Sequence, residues 1–340
     1  MNDPSGVDIL DAAAVASVVT RWLAEHVGGQ VTLVEPPSTA GDGLDNVIHF
    51  ARFSGDAVPD AWRGPLVLRI HRTPDRLELA RREAAVQEWA AALGYPAPRV
   101  VHVFAPGELL ALPVQVMERA PGTTMIDALK RSPTQVRSLI RRLAALHVQL
   151  HALPIDGWPD PDAPLLADRR LRSVRVWVDD LDDPRLRAAL SRAEPLAREL
   201  DDAERVANHG DFHPLNVLVD GDRLAVIDWT DAALGDRHGD VARTALLFRA
   251  AALAAGNRLE RVVLARIGPV LSRMYLRAYQ RESPLDARRL RRWEALHALH
   301  GWAQIRALHA GAFDDDGERA DVPLVMAAWL ARRFERAMRA

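Results

Sequence analysis

Apolar residues first recur at helical spacing over residues 11–26, where Val15, Val18, Val19, Trp22 and Leu23 share one stripe. Strand-like stretches follow at 31–35 (VTLVE), 46–53 (NVIHFARF), 65–72 (PLVLRIHR), 99–104 (RVVHVF) and 113–118 (PVQVME). A single helical stretch, 75–93, interrupts them, with Leu79, Val86, Trp89 and Leu93 at helical spacing. Several strands around one inserted helix predict a small antiparallel sheet packed on that helix.

The texture changes after ERAPGTT (118–124), a Pro-Gly punctuation. Beyond it the pattern is helical over roughly 133–151, 165–180, 184–200, 237–255, 258–282, 285–311 and 320–339. The exception is NVLVDGDRLAVIDW, which reads as two short strands joined by an Asp-Gly turn. The expected fold is α+β. It has an N-terminal lobe over 1–117, a hinge over 118–122, and a larger, mainly helical lobe over 123–340 that carries this hairpin. The acidic run DDDGE at 314–318 reads as a solvated loop.

Composition narrows the function classes. The chain has 340 residues, 49% of them apolar and 26% charged, with a formal net charge of −2. That is ample for a buried core, and nothing global points to nucleic acid or a membrane surface as partner. There is no cysteine, which removes disulfides, thiol catalysis and cysteine-based zinc sites, and a cytoplasmic location is expected. The acidic N-terminus does not read as a signal peptide, and no apolar run is long enough to span a membrane. Lys130 is the single lysine, so any role that needs a cation falls to arginine.

The richest chemistry lies in NHGDFHPLNVLVDGDRLAVIDW (208–229). His209 and His213 stand four apart, the spacing of a helical zinc pair. Gly210 and Pro214 spoil a helix there, no Glu follows the first histidine, and no third ligand cluster is evident. The oxygen donors fit better. A hairpin returns its far end beside its start, so Asn216 and Asp228 can approach one another, and an amide oxygen with a carboxylate suits Mg²⁺. Asp211 could then accept a proton from a hydroxyl. An Asp, an Asn five residues on and an Asp after the next hairpin form the layout of a kinase catalytic loop and metal loop.

In HGDFHPLNVLV…LAVIDW the chain resembles the aminoglycoside phosphotransferase / choline-kinase-like family, a branch of the protein-kinase-like fold. The segment ALGDRHGDVARTALLF resembles the family's continuation. The resemblance implies a bilobal kinase-like fold and an ATP- and Mg²⁺-dependent small-molecule kinase, with GTP left open. It makes Asp211 the catalytic base, Asn216 and Asp228 the Mg²⁺ ligands, and His209 and His213 loop scaffold. Asp240 would anchor the loop by hydrogen bonds; as residue chemistry alone it reads as a helix N-cap.

A kinase also needs a phosphate-covering loop, a phosphate cation and an acid that orients it. STAGDGLDNVIHF offers Gly41, Gly43 and Asn46 between two strands. Arg69, inside the strand LVLRIHR, is costly unless paired. Glu83 lies on or beside the sheet-facing stripe of the inserted helix and would be its partner. Members of the resembled family commonly carry Arg where protein kinases have Lys. QVMERAPGTTM resembles the family hinge, in which backbone groups of Glu118, Arg119 and Ala120 would hold the adenine edge.

The acceptor is less legible. Asp179, Asp180, Asp231, Asp236 and the 314–318 acids could meet a cationic aminoglycoside, whereas ARRLRR at 287–292 is basic. The tryptophans Trp158, Trp177, Trp229, Trp302 and Trp329 are pocket candidates, though tryptophan is more often core. The favoured expectation is a small hydroxylated acceptor of aminoglycoside type. A metabolic or natural-product kinase acting on a macrolide, amino alcohol or sugar stands beside it, and resistance and metabolism both stay open as the role. A nucleotide-binding pseudokinase is the reading from another class, and the intact Asp211, Asn216 and Asp228 argue against it.

Overall fold

A computed structural model of the chain describes residues 6–42, 46–202, 205–311 and 324–339. Two compact units pack separately. The first runs to Thr123 and also takes in Gly157–Asp160 and Leu218–Thr230; the second holds the remainder.

In the first unit, α1 (Ala12–Val27) starts at Asp11, whose Oδ1 accepts from the N–H of Ala13 at 2.8 Å, and ends at Gly28 in the left-handed region. Then come β1 (Thr32–Leu33), β2 (Ser38–Asp42), β3 (Asn46–Ser54), α2 (Asp60–Arg63), β4 (Pro65–His71), α3 (Leu77–Ala92), β5 (Val100–Phe104), β6 (Val114–Glu118) and β7 (Thr123–Thr124). The sheet order is β1-β3-β4-β6-β5, with β2 on β3, and the pairs are antiparallel. Leu66, Leu68 and Ile70 alternate into a core shared with Val15, Val19 and Leu23 of α1. The period of 2 therefore turns Arg69 to the opposite face. There α3 presents Ala80, Glu83, Ala84, Val86, Gln87 and Ala90 as its buried face. The stripe expected from Leu79, Val86, Trp89 and Leu93 is rotated: Leu93 is exposed, and the small alanines take its place in the core.

The second unit is mainly helical. Its elements are α4 (Met125–Arg131), α5 (Val136–His151), α6 (Leu166–Leu181), α7 (Pro184–Asp201) and β8 (Val206–Asn208). The chain then forms the hairpin β9 (Val217–Asp220) and β10 (Arg223–Val226), which from Leu218 onward clusters with the first unit. It returns through β11 (Ala233–Gly235), antiparallel to β8, into α8 (Arg237–Ala250), α9 (Arg258–Glu282), α10 (Ala287–His309) and α11 (Leu324–Arg339). A core of Leu171, Val174, Leu186, Leu246, Trp293, Leu296, Leu299 and Phe334 joins α6, α7, α8, α10 and α11. Pattern reading missed α2, α4, β2, β7, β8 and β11, which are at most seven residues long and too short to show a period. The acidic run 314–318 lies outside the described residues. Among the described residues no helix is long and apolar enough to cross a membrane.

Candidate active site

In the first unit, Arg69 of β4 and Glu83 of α3 meet as an ion pair, with 11% and 1% of their side chains exposed. The strand alternation and the buried helix face that bring them together are both local consequences of sequence. Arg69 also reaches Asp228 Oδ1 and the Thr230 hydroxyl, each at 3.4 Å. Burial works against the guanidinium's charge, but Glu83 and Asp228 outweigh it and hold its pKa above the ordinary value. Thr230 Oγ lies 2.8 Å from Glu83 Oε2 and 2.9 Å from Asp228 Oδ1. It has one proton, so it donates to one carboxylate at a time. Asp228 does not end the hairpin strand as expected. It stands two residues past β10 at φ 66°, a left-handed conformation that Asp tolerates better than most residues, and its carboxylate remains 45% exposed.

In the second unit, the loop from His209 to Asn216 hangs on Asp240. Its carboxylate, fully buried on α8, accepts from the N–H of His209 at 2.6 Å and of Gly210 at 2.9 Å. Asp240 is therefore no helix cap; the N-cap of α8 is Asp236. Gly210 sits at φ 80°, and a Cβ there would fall 2.3 Å from the Asp231 carbonyl oxygen, so the turn requires glycine. Behind the loop, His147 and His151 of α5 bring Nε2 to 3.1 and 3.6 Å from Asp240 Oδ2. Burial keeps both imidazoles neutral, His147 pushed down to about 3. The two imidazoles that face it hold Asp240 well below the carboxylate range against its own burial.

Asp211 lies on the accessible side of this loop. Arg243 of α8 gives Nε (3.1 Å) and NH2 (2.9 Å) to its Oδ1, and His213 Nε2 lies 3.0 Å from Oδ2. The N–H of Leu215 donates to His213 Nδ1 at 3.2 Å, which leaves Nε2 as the protonated nitrogen facing Asp211. Burial opposes the charge of Asp211, yet Arg243 first, then His213 and Arg170, hold the carboxyl far below the usual range. Asn216 Nδ2 donates to the Asp211 carbonyl at 3.0 Å. That orients the amide and leaves its oxygen as the group open to a cation. Arg170 ties the same loop from α6, with NH2 on the Gly210 carbonyl at 2.6 Å and NH1 on Asp231 at 2.8 Å.

The profile of the phosphotransferase enzyme family matches residues 57–262. The chain belongs to that family. No curated protein matches it in sequence. Among solved structures, a thermostable mutant of aminoglycoside phosphotransferase APH(4)-Ia, in ternary complex with ADP and hygromycin B, is 21% identical. It covers 94% of this chain and 98% of its own, at a TM-score of 0.62. A choline/ethanolamine kinase family protein from Mesorhizobium loti is 19% identical, with 96% and 98% covered and a TM-score of 0.60. Aminoglycoside-3'-phosphotransferase of type VIII is 22% identical, with 84% and 98% covered and a TM-score of 0.53. The fold is thus the α+β protein-kinase-like one that the motif implied, and the chain is a phosphotransferase by family.

Within this phosphotransferase, Arg69, Glu83 and Asp228 are brought together in one unit, and Asp211 and Asn216 in the other. Asn46 opens β3 opposite His71 and is buried; Gly41 belongs to β2, and Gly43 lies outside the described residues. At the expected hinge, the N–H groups of Glu118 and Arg119 are already taken, by the carbonyls of Arg99 (2.9 Å) and Pro65 (2.8 Å). Of the three expected hinge residues, Ala120 alone keeps an N–H with no partner among the described residues. The Arg119 guanidinium instead stacks over the Phe50 ring at 3.6 Å. Lys130 pairs with Glu260 in the second unit and is no substitute for Arg69.

Sequence reasoning missed several residues. His213, read as scaffold, touches the Asp211 carboxylate. Thr230 carried a signal, two residues after Asp228; Arg243, one turn beyond Asp240, carried a weaker one. A histidine–carboxylate cluster does exist, as His147, His151 and Asp240, with ligand atoms within 4.8 Å of one another. It contains neither histidine of the loop. Tyr275 and Tyr279 hydroxyls, at 2.5 and 2.6 Å, occupy the Nδ1 atoms, so it reads as an anchor with its own hydrogen-bond partners.

Proposed function

We propose that this phosphotransferase moves the γ-phosphate of ATP to a hydroxyl of a small molecule in the presence of Mg²⁺. The observation that carries this reading is the buried Arg69, shared by Glu83 and Asp228. A guanidinium is costly to bury, and here it stands beside a half-exposed carboxylate, as a phosphate cation beside a metal ligand would. Asp228 and Asn216 supply a carboxylate and an amide oxygen. These are hard donors that suit Mg²⁺ and leave the rest of its shell to water and phosphate oxygens. When bound, the ion would neutralise charge on the phosphates.

Asp211, fully ionised, accepts the acceptor's hydroxyl proton and orients the oxygen for in-line attack, while Asp240 and Gly210 hold its backbone in place. Arg69 binds the phosphates once Glu83 and Thr230 have fixed its fork. The Ala120 N–H is the hinge donor left for a base edge. ATP is the donor favoured by the ADP complex of a structural neighbour. Neighbours named for aminoglycosides and for choline or ethanolamine make small hydroxylated compounds the acceptor class. The test is slow, Mg²⁺-dependent ATP hydrolysis by the full chain in the absence of acceptor. It should vanish in Asp211→Asn while nucleotide still binds; equal hydrolysis in both proteins would refute the assignment.

A further inference from the structure

The carboxylates around Asp211 are already matched by arginines. Asp211 takes two donors of Arg243 on one oxygen and faces His213 with the other. Asp231, the adjacent acid, is bound by Arg170 at 2.8 Å, with Arg169 at 3.9 Å. Asp240 is buried behind the loop against backbone N–H groups and neutral imidazoles. Among the described residues, which do not include the acids at 314–318, the three charges of Asp211, Asp231 and Asp240 are thus equalled by those of Arg169, Arg170 and Arg243, and this cluster has no surplus negative charge. Asp236 is not available either. It caps α8 and binds His238, Arg289 and Trp293. Asp179 and Asp180 are exposed, but they lie near the far end of α6 from Arg170, about 15 Å along the axis at 1.5 Å per residue.

A polycation needs the opposite arrangement, carboxylates left without partners so that each ammonium gains a counter-charge. Arg243 works against it directly, because its charge sits on the carboxylate that would otherwise attract an amine. Its NH1 has no partner among the described residues, and the side chain is 15% exposed. A guanidinium N–H without a protein partner would donate to a hydroxyl or carboxylate oxygen.

We infer that the acceptor of this phosphotransferase carries no net positive charge, being a neutral polyol or a hydroxy acid, and that Arg243 sets this preference. The inference rests on the reading of Asp211 as the acceptor-side carboxylate. It separates this chain from the aminoglycoside-type acceptor that the sequence motif favours.

Calorimetric titration of kanamycin, a polycationic aminoglycoside, into the full chain with Mg²⁺ and AMP-PNP tests it, at 50 and 200 mM salt. For the unmodified protein the expected result is binding weaker than about 1 mM that does not tighten as salt is lowered, since screening helps only a repelled ligand. Arg243→Gln should bind kanamycin at least about tenfold more tightly (about 1.4 kcal/mol) and gain the salt dependence of an attracted one. Arg243→Lys, which keeps the charge, should match the unmodified protein. Micromolar binding by the unmodified protein that tightens at low salt overturns the inference, as does no gain in Arg243→Gln. Should Arg243→Gln not fold, the salt response of the unmodified protein decides. Tight kanamycin binding with intact, Asp211-dependent ATP hydrolysis sinks the acceptor class alone. Absence of that hydrolysis sinks the kinase reading, and the acceptor class with it.

Discussion

Asp228 in the first unit is 45% exposed and shares one guanidinium with Glu83. Asp211 in the second is 25% exposed, and each of its oxygens already faces a donor. In the first cluster, the ties that join Arg69 to Glu83 and Asp228 run between side chains, and these three sum to one negative charge. The second is tied through backbone, by Asp240 to two N–H groups, Arg170 to a carbonyl and Asn216 to another, and its charges balance. Side-chain ties with surplus charge can exchange partners for a cation and phosphates at little cost. Backbone ties fix where one carboxylate sits. On the proposed assignment, the first cluster would bind and release and the second would hold its geometry.

The sharpest way to break this contrast is Asp211→Asn. It should lower phosphoryl transfer about 10²–10⁴-fold and leave the melting temperature and nucleotide affinity close to unchanged; a comparable loss of nucleotide binding would move Asp211 into the binding cluster. Arg69→Ala should leave Glu83 buried and unpaired, at about 3–5 kcal/mol of stability, and weaken ATP binding, read by denaturant unfolding and by titration. Unaltered ATP affinity would place the phosphate cation elsewhere. Asp240→Asn is expected to cost about 1–3 kcal/mol and to reduce turnover more than nucleotide affinity, because it loosens the loop and leaves Arg69 untouched. Thr230→Val should raise the KM for MgATP about fivefold through the loss of roughly 1 kcal/mol of hydrogen bonding, with Thr230→Ser near normal; equal effects of both substitutions would remove Thr230 from the cluster.

Acid should separate the two units as well. Burial depresses His147 and His297 to about 3 and lowers His151 and His300 in the second unit. In the first unit it depresses His71 to about 4 and lowers His102. Each of these is protonated more readily unfolded than folded. The stability it contributes is complete above the unfolded value near 6.5 and is lost as pH falls through that value toward the folded one. Hydrogen exchange compared at pH 7.5 and 5 should show the second unit opening more than the first. Equal opening would mean that these burials do not govern acid stability.

Much of this was legible in advance. The spacing of Asp211, Asn216 and Asp228 pointed to a kinase-like loop, and the buried strand with the apolar stripe of the inserted helix pointed to a pairing of Arg69 with Glu83, which the structure contains. What stayed hidden came from far along the chain. Arg243 reaches Asp211 across 32 residues and Thr230 reaches Glu83 across 147. His147 meets Asp240 from another helix. The acids proposed for a cationic acceptor looked available in the sequence, and two of them, Asp231 and Asp236, turned out to be bound by arginines.

The sequence by itself therefore determined the family, the reaction type and the local pairings, because catalytic loops and strand or helix periods are written over short spans of chain. Only the tertiary structure decided which of the loop's carboxylates are neutralised. Whether a carboxylate is free or neutralised depends on which guanidinium folding brings within about 3–4 Å of it, and in a chain rich in arginine no spacing rule says which one that will be.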